Sequence, residues 1–139
     1  ELAGHIFFKE RWYGFDDGLY AAARLLEILA TRAEEPEEVF AELPKATSTP
    51  ELKIEMREGE PHAFIEAFVA SARFEGARMS TIDGVRADWP DGWGLVRASN
   101  TTPILVLRFE ADNEAALARV QDAFRQAILA VRADLTLPF

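Results

Sequence analysis

The sequence predicts an α+β protein whose main domain is a four-stranded, mostly antiparallel sheet covered on one face by two helices. Residues 51–57 alternate between apolar and charged side chains, which is typical of a strand with one buried face. Apolar residues then recur at helical spacing in 61–73 and again in 112–133. Between these two helices lie short β-type runs separated by turn signals, so the sequential strands are expected to be neighbours.

The first 43 residues predict part of an α/β domain. An apolar run at 5–8 predicts a strand, and Asp16 and Asp17 can cap a helix that continues to about residue 31. This helix is expected to be substantially buried. Its apolar face is formed by Leu19, Ala22, Leu26 and Leu29. A second, short helix is predicted over 36–43, with Pro36 in its first turn and acidic residues behind it.

A connector rich in Pro, Ser and Thr spans residues 44–50 and predicts a hinge between two domains. Residues 1–43 are too few to support an independent core comfortably, whereas 51–139 is a segment of domain size. We therefore expect a C-terminal remnant of an α/β domain over 1–43 and a complete domain over 51–139.

The order of elements after the connector is strand, helix, three short strands, a longer strand and a final helix. Strands are predicted at 77–82 and 85–88 around the tight turn Asp83-Gly84, and at 93–96 and 104–109. The last helix has the clearest apolar stripe, and Asp112 and Asn113 precede it as capping residues. Its stripe consists of Leu117, Val120, Phe124, Ile128 and Val131.

Charge and composition exclude several classes of function. A net charge of −9 without a Lys/Arg cluster argues against binding to a nucleic-acid backbone. The chain has no cysteine and only two histidines, which excludes disulfides and thiolate metal sites, and we expect no metal site. No apolar run approaches the length of a membrane span, and the N-terminus lacks a signal-peptide pattern. We expect a cytoplasmic protein that contacts neither membranes nor nucleic acid.

The polar loop at 97–103 is the strongest candidate site in the sequence. Arg97 offers a planar fork suited to phosphate or carboxylate, and Ser99, Asn100 and Thr101 supply hydroxyl and amide groups beside it. Backbone N–H groups of a turn can complete an anion cradle. The alternative is that the polar residues only satisfy a hairpin turn while Arg97 lies solvated at its rim.

This loop, Gly94-Leu-Val-Arg-Ala-Ser-Asn-Thr-Thr-Pro103, resembles the phosphate-binding loop in the last domain of the α-D-phosphohexomutases, in particular the bacterial phosphomannomutase/phosphoglucomutase members. The segment Glu1-Leu-Ala-Gly-His5 is similar to the family's sugar-binding loop, whose usual pattern is Gly-Glu-Met-Ser-Gly-His. Ala3 stands where that pattern has serine, which removes one hydrogen bond to a sugar hydroxyl. The resemblance covers essentially the whole chain and implies a TATA-binding-protein-like C-terminal domain.

The resemblance also implies a function. Family members move phosphate between C1 and C6 of glucose or mannose phosphate, through a phosphoserine enzyme, Mg²⁺ and a glucose or mannose 1,6-bisphosphate intermediate. On this basis Glu1 and Ala3 would contact the sugar, Arg97, Ser99, Asn100 and Thr101 would bind phosphate, and His5 is a candidate acid/base. The phosphoserine and Asp-rich magnesium loops, which belong to earlier domains, are not found in the sequence.

We therefore expect this chain to be part of a longer enzyme whose N-terminal domains are its partners, and to be inactive alone. The alternative is a non-catalytic module that binds anions or another protein and keeps the fold without the chemistry.

Overall fold

The computed structural model describes residues 4–139. It divides into two units, Glu1–Pro44 and Lys45–Phe139, and each is described by itself. Among the described residues, no helix combines the length and the apolar character that crossing a membrane requires.

The N-terminal unit contains two helices, α1 (Gly18–Thr31) and α2 (Pro36–Ala41). Asp17 caps α1 by accepting a hydrogen bond of 3.0 Å from the backbone N–H of Tyr20. Helix α2 begins with a capping box between Glu35 and Glu38, and its predicted position is confirmed, although it ends earlier than expected. Both helices therefore begin where the sequence places the caps.

Two expectations for this unit are wrong in the described part of the chain. The predicted strand at 5–8 is reduced to a single bridge between Phe7 and Asp16, because no further strand of the unit is there to pair with it. The apolar face of α1 is not buried, since Leu19 is 87% and Leu26 65% exposed. Helical periodicity located the face correctly, but burial depends on a partner surface that periodicity does not show.

Polar and aromatic contacts hold the N-terminal unit together. Arg11 forms a bidentate pair with Glu27, with N to O distances of 2.9 and 2.7 Å, and Arg24 donates to Glu10 at 2.7 Å. The ring of Trp12 stacks on another aromatic ring, that of Tyr20, with centroids 4.3 Å apart. These contacts lie at the surface, where ion pairs contribute little to stability.

The C-terminal unit is built on a six-stranded sheet in which every pairing is antiparallel. Its strands are β1 (Thr47–Ser48), β2 (Leu52–Glu55), β3 (Arg78–Ser80), β4 (Val85–Trp89), β5 (Gly92–Ala98) and β6 (Ile104–Ala111). The order across the sheet is β1, β6, β5, β4, β3, and β2 also pairs with β6. The predicted α+β class and antiparallel sheet are confirmed, with six strands instead of four.

The strand that the sequence did not predict is β1, at one edge of the sheet. Strands β1 and β2 pair with successive parts of β6, so one edge position of the sheet is occupied by two short strands. Pro50 lies between them and lacks the N–H that a continuous ladder would need. The predicted connector at 44–50 is therefore partly a strand, because Thr47 and Ser48 already belong to the sheet.

Two helices, α3 (Glu60–Ser71) and α4 (Glu114–Val131), cover one face of this sheet, as the sequence predicts. Phe124 of α4 stacks on Phe74 with ring centroids 4.4 Å apart, and Phe68 of α3 is fully buried beside both rings. A Cβ atom at Gly94 of β5 would lie 2.4 Å from the Phe124 ring, so only glycine allows this close approach of helix and strand. Neither of these two helices of the C-terminal unit covers the opposite face of the sheet.

Candidate functional site

The loop at 99–103 joins β5 to β6, the two central strands of the sheet, and is tied at three points. The Ser99 N–H donates to the Ile104 carbonyl at 3.0 Å, and the Ile104 N–H donates to the Thr102 carbonyl at 2.8 Å. From the neighbouring strand, the Met56 N–H donates to the carbonyl of Pro103 at 2.9 Å. The rigid strands therefore fix both ends of a short polar loop.

The Ser99 hydroxyl is the centre of this loop. Its Oγ accepts hydrogen bonds from the backbone N–H groups of Thr101 and Thr102, both at 3.3 Å, and lies 3.0 Å from the Thr102 hydroxyl oxygen. These bonds are the ones expected if the polar residues only satisfy a hairpin turn, which was the alternative to an anion site. Both backbone bonds are longer than the usual N–H···O distance, so the same donors can turn to a stronger, charged acceptor.

Arg97 lies at the end of β5, with a side chain that is 24% exposed. Within the described residues its guanidinium makes no hydrogen bond, and its Nε lies 3.9 Å from Oδ2 of Asp83. Arg86 of the neighbouring strand β4 is opposite Leu95, two positions before Arg97 on the same face. Unlike Arg97, it donates a hydrogen bond of 2.7 Å to Asp88 and lies over the ring of Trp93. The N–H donors of Arg97 thus remain available to an anion, whereas those of Arg86 are already used by Asp88.

The strand alternation decides which side of the sheet presents these groups. Val96 and Ala98 are buried against α3 and α4, so Arg97, which lies between them in β5, belongs to the opposite face of the sheet. Asn100 and Thr101 are exposed at the loop tip. The loop residues 99–103 line a groove of about 100 Å³ together with Glu58 and His62 at the start of α3, and Arg97 does not line it. The structure thus places Arg97 next to the loop along the chain, but outside the groove that the loop residues line.

The second candidate site is only partly described. Glu1 and Ala3 lie outside the described residues. His5 is described, and its Nδ1 lies 2.5 Å from Oδ2 of Asp16. The sequence assigned Asp16 to helix capping together with Asp17, but Asp17 alone makes the cap, which leaves Asp16 to orient the imidazole. The only sequence signal for this pair is that the helix start carries one more aspartate than a cap requires.

The His5 ring is held by one nitrogen and remains half-exposed. With Nδ1 engaged by a carboxylate, Nε2 is the atom that can exchange a proton or contact an anionic oxygen. Residues 4–139 contain no group of three or more His, Cys, Asp or Glu side chains arranged to hold a metal ion. Arg97 and the loop offer hydrogen-bond donors to an anion, and His5 offers one free ring nitrogen.

Comparisons with known proteins place this architecture in one class, the multidomain sugar-phosphate mutases. The family model described as "Phosphoglucomutase/phosphomannomutase, C-terminal domain" matches residues 31–127. The model described as "Phosphoglucomutase/phosphomannomutase, alpha/beta/alpha domain III" matches residues 1–47. The chain belongs to the phosphoglucomutase/phosphomannomutase family.

Individual relatives agree with the family models. A phosphomannomutase/phosphoglucomutase of Pseudomonas putida is 55% identical over the whole chain, which covers 30% of that relative. A phosphoglucomutase of Neisseria gonorrhoeae is 60% identical over 92% of the chain and 28% of the relative. A crystal structure of a family protein from Burkholderia thailandensis superposes with a TM-score of 0.87 at 55% identity, over 98% of this chain and 28% of that one.

The chain therefore spans less than a third of the length of these relatives. Their names do not favour the alternative of a non-catalytic module, because both relatives are named as mutases.

Proposed function

We propose that this chain is the C-terminal part of a phosphohexomutase that interconverts hexose 1-phosphate and hexose 6-phosphate, with glucose or mannose as the sugar. The observation that carries the proposal is Arg97, a partly buried guanidinium without a hydrogen bond in the described residues, next to a loop rich in hydroxyl groups. The names of the relatives support the reaction type.

In this proposal the loop binds the phosphate that is not reacting. Arg97 supplies two parallel N–H donors, and the Ser99 hydroxyl and the backbone N–H of Thr101 turn from each other to the phosphate oxygens. Asn100 adds an amide donor from the exposed tip. Because the chain carries a net charge of −9, this local cluster of donors has to act against the overall field. Holding the remote phosphate contributes orientation at the reacting end of the sugar.

The N-terminal unit contributes the sugar contacts and a proton carrier. Glu1 would accept hydrogen bonds from sugar hydroxyls, and Ala3 would leave one of them without the usual serine partner. His5 would exchange a proton or contact the reacting phosphate through Nε2, while Asp16 holds the ring from the other side. A water molecule can take the place of the missing serine hydroxyl.

Closure of the C-terminal unit over the substrate is also part of the proposal. The two units divide between Pro44 and Lys45, and the strand pairing of Thr47 leaves only a few connecting residues outside the sheet. Such a short connector can act as a hinge, because a change in a few backbone dihedrals moves a whole domain.

The remaining chemistry would come from the earlier domains of the same enzyme, which we propose as the partners of this chain. Mg²⁺ would stabilise charge on the transferred phosphate, and a hexose 1,6-bisphosphate would be the intermediate. The earlier domains would hold the ion, and this chain would contribute the donors of the loop and the imidazole of His5. The cytoplasmic location inferred from the sequence stays a prediction.

The decisive test is Arg97→Ala in the complete mutase that carries this chain. We expect kcat/KM for glucose 1-phosphate to fall about 10- to 100-fold, because a charge-assisted hydrogen bond contributes about 1.5–3 kcal/mol. Arg125→Ala is the matched control, since this arginine pairs with Asp122 on the surface of α4. Unchanged kinetics in Arg97→Ala, with the protein folded, would contradict the assignment.

A further inference from the structure

The turn between β3 and β4 lies directly against the backbone of Arg97. Gly84 in this turn has φ of +77°, a conformation that favours glycine. A Cβ atom at this position would lie 2.1 Å from the Val96 carbonyl oxygen and 2.7 Å from the Cα atom of Arg97. The missing side chain thus allows the turn to approach the end of β5, where the proposed phosphate loop begins.

The approach of this turn brings Asp83 to Arg97. The Asp83 carboxylate is 67% exposed, and its Oδ2 lies 3.9 Å from Nε of Arg97, which is an ion pair and not a hydrogen bond. Among the described residues, it is the only carboxylate in ion-pair range of this guanidinium. The contact is made at the Nε side of the fork, so the terminal nitrogens at the other edge keep their donors.

We propose that Asp83 is a positioning residue for Arg97: it draws the Nε side of the guanidinium towards the turn, so that the terminal nitrogens face the phosphate. The inference rests on the proposed function of the loop and extends it to a residue 14 positions earlier in the sequence. An arginine side chain loses considerable rotamer entropy when it is fixed, and a partner that restricts it beforehand reduces that cost on binding.

Asp83 also repels a bound phosphate, so its net effect on phosphate affinity depends on whether orientation of Arg97 or repulsion is larger. The other charges on the face of the sheet that carries Arg97 are mixed. Lys53 is opposite Val106 in β6, and Val106 is opposite Arg97 in β5. Lys53 pairs with Glu51 at 3.4 Å, however, and Glu55 is opposite Ile104 on the same face. Arg108, opposite Leu95, lies on the same face. The exposed carboxylate is well solvated, so its repulsion is screened by water and salt, whereas the orientation of the guanidinium is a short-range effect. Orientation therefore outweighs repulsion.

The test is Asp83→Asn in the complete mutase, with steady-state kinetics on glucose 1-phosphate. We expect KM to rise about two- to fivefold with kcat unchanged, the size expected for an exposed ion pair that affects binding alone. Asp83→Glu keeps the charge and should restore part of the loss. Asp91→Asn is the matched control, because Asp91 lies in the next turn of the same sheet and pairs with Arg119 at 2.5 Å.

A double variant shows whether Asp83 acts through Arg97. In an Arg97→Ala background, Asp83→Asn should have no further effect on KM. A KM that falls or stays constant in Asp83→Asn, while Arg97→Ala raises it, would overturn this inference and leave the proposed function intact. If Arg97→Ala itself has no effect, the proposed function fails and the positioning role fails with it.

Discussion

The two units of this chain use opposite means of holding their structure. In the C-terminal unit, Phe68, Phe109 and Phe124 are completely buried between two helices and an antiparallel sheet. In the N-terminal unit no described side chain is buried to that degree, and Leu19, Leu25 and Leu26 of α1 are exposed. Its described contacts are arginine–carboxylate pairs and stacked aromatic rings.

The difference shows why an amphipathic pattern and a stable element are not the same thing. The C-terminal helix α4 and the N-terminal helix α1 both have an apolar stripe and an Asp or Asn cap. The stripe of α4 packs against the sheet of its own unit, whereas the described part of the N-terminal unit contains no sheet. Because apolar burial contributes most of the stability of a domain and exposed ion pairs contribute little, we expect the two units to respond differently to the same substitutions.

The largest expected difference concerns core truncation. Phe124→Ala removes a buried ring that stacks on Phe74 and should destabilise the C-terminal unit by about 3–5 kcal/mol. Leu26→Ala in α1 is the control and should change stability by less than about 0.5 kcal/mol, because this leucine is 65% exposed. Urea unfolding, followed by the amide signals of each unit, measures both. Effects of equal size would contradict the difference in burial between Phe124 and Leu26.

Glycine substitutions should change the stability of the two units by different, intermediate amounts. Gly84→Ala should cost about 2–4 kcal/mol, because the residue has positive φ and its Cβ would collide with the backbone of β5. Gly18→Ala, at the first position of α1, meets nothing within 4 Å and should stabilise that helix by up to about 1 kcal/mol. Thermal unfolding of the two variants provides the measurement, and a tolerated Gly84→Ala would contradict the described turn.

The smallest expected difference is a pH effect on the N-terminal unit. A hydrogen bond from Arg24 lowers the pKa of Glu10 below its usual 4.5, and one from Arg11 lowers the pKa of Glu27. A carboxyl whose pKa is lowered by folding contributes stability above the usual value, and this contribution is lost as the pH falls through the lowered value. Hydrogen exchange should therefore show α1 losing protection below about pH 4.5, before β5 and β6 do.

A matched variant identifies the cause of that pH effect. Arg11→Gln removes the bidentate partner of Glu27, leaving only the ion pair with Arg24, and should weaken the loss of protection on acidification. The same loss in the variant and in the unmodified chain would assign the effect to other groups.

Much of the fold could be predicted because its determinants are local. The cap at Asn113, the alternation in β2 and the turn at Gly84 are each encoded within a few residues, and the structure confirms the elements they mark. The strand β1 could not be predicted in the same way. Its two residues pair with Ala111 and Glu110, more than 60 positions later, and their own sequence indicates only a connector.

In the candidate site, too, contiguous residues could be predicted and contacts between distant residues could not. The order Arg97, Ser99, Asn100 and Thr101 is contiguous, so the sequence alone could propose an anion cradle, and this role stays a prediction. Asp83 lies near Arg97 because of the register of β4 against β5. Asp16 lies near His5 because a β-bridge pairs Asp16 with Phe7, 9 positions earlier. Such contacts depend on how the chain folds back on itself, which residue types do not reveal.

The most direct test of the central claim is a two-dimensional amide NMR titration of this chain with glucose 1-phosphate, in parallel with its Arg97→Ala variant. If the loop binds phosphate, the amide signals of 97–102 should shift with millimolar ligand in the unmodified chain and stay in place in the variant. Shifts of equal size in both proteins, or shifts centred on the cleft between α3 and α4 that is lined by Phe74, Trp89 and Arg119, would contradict the account.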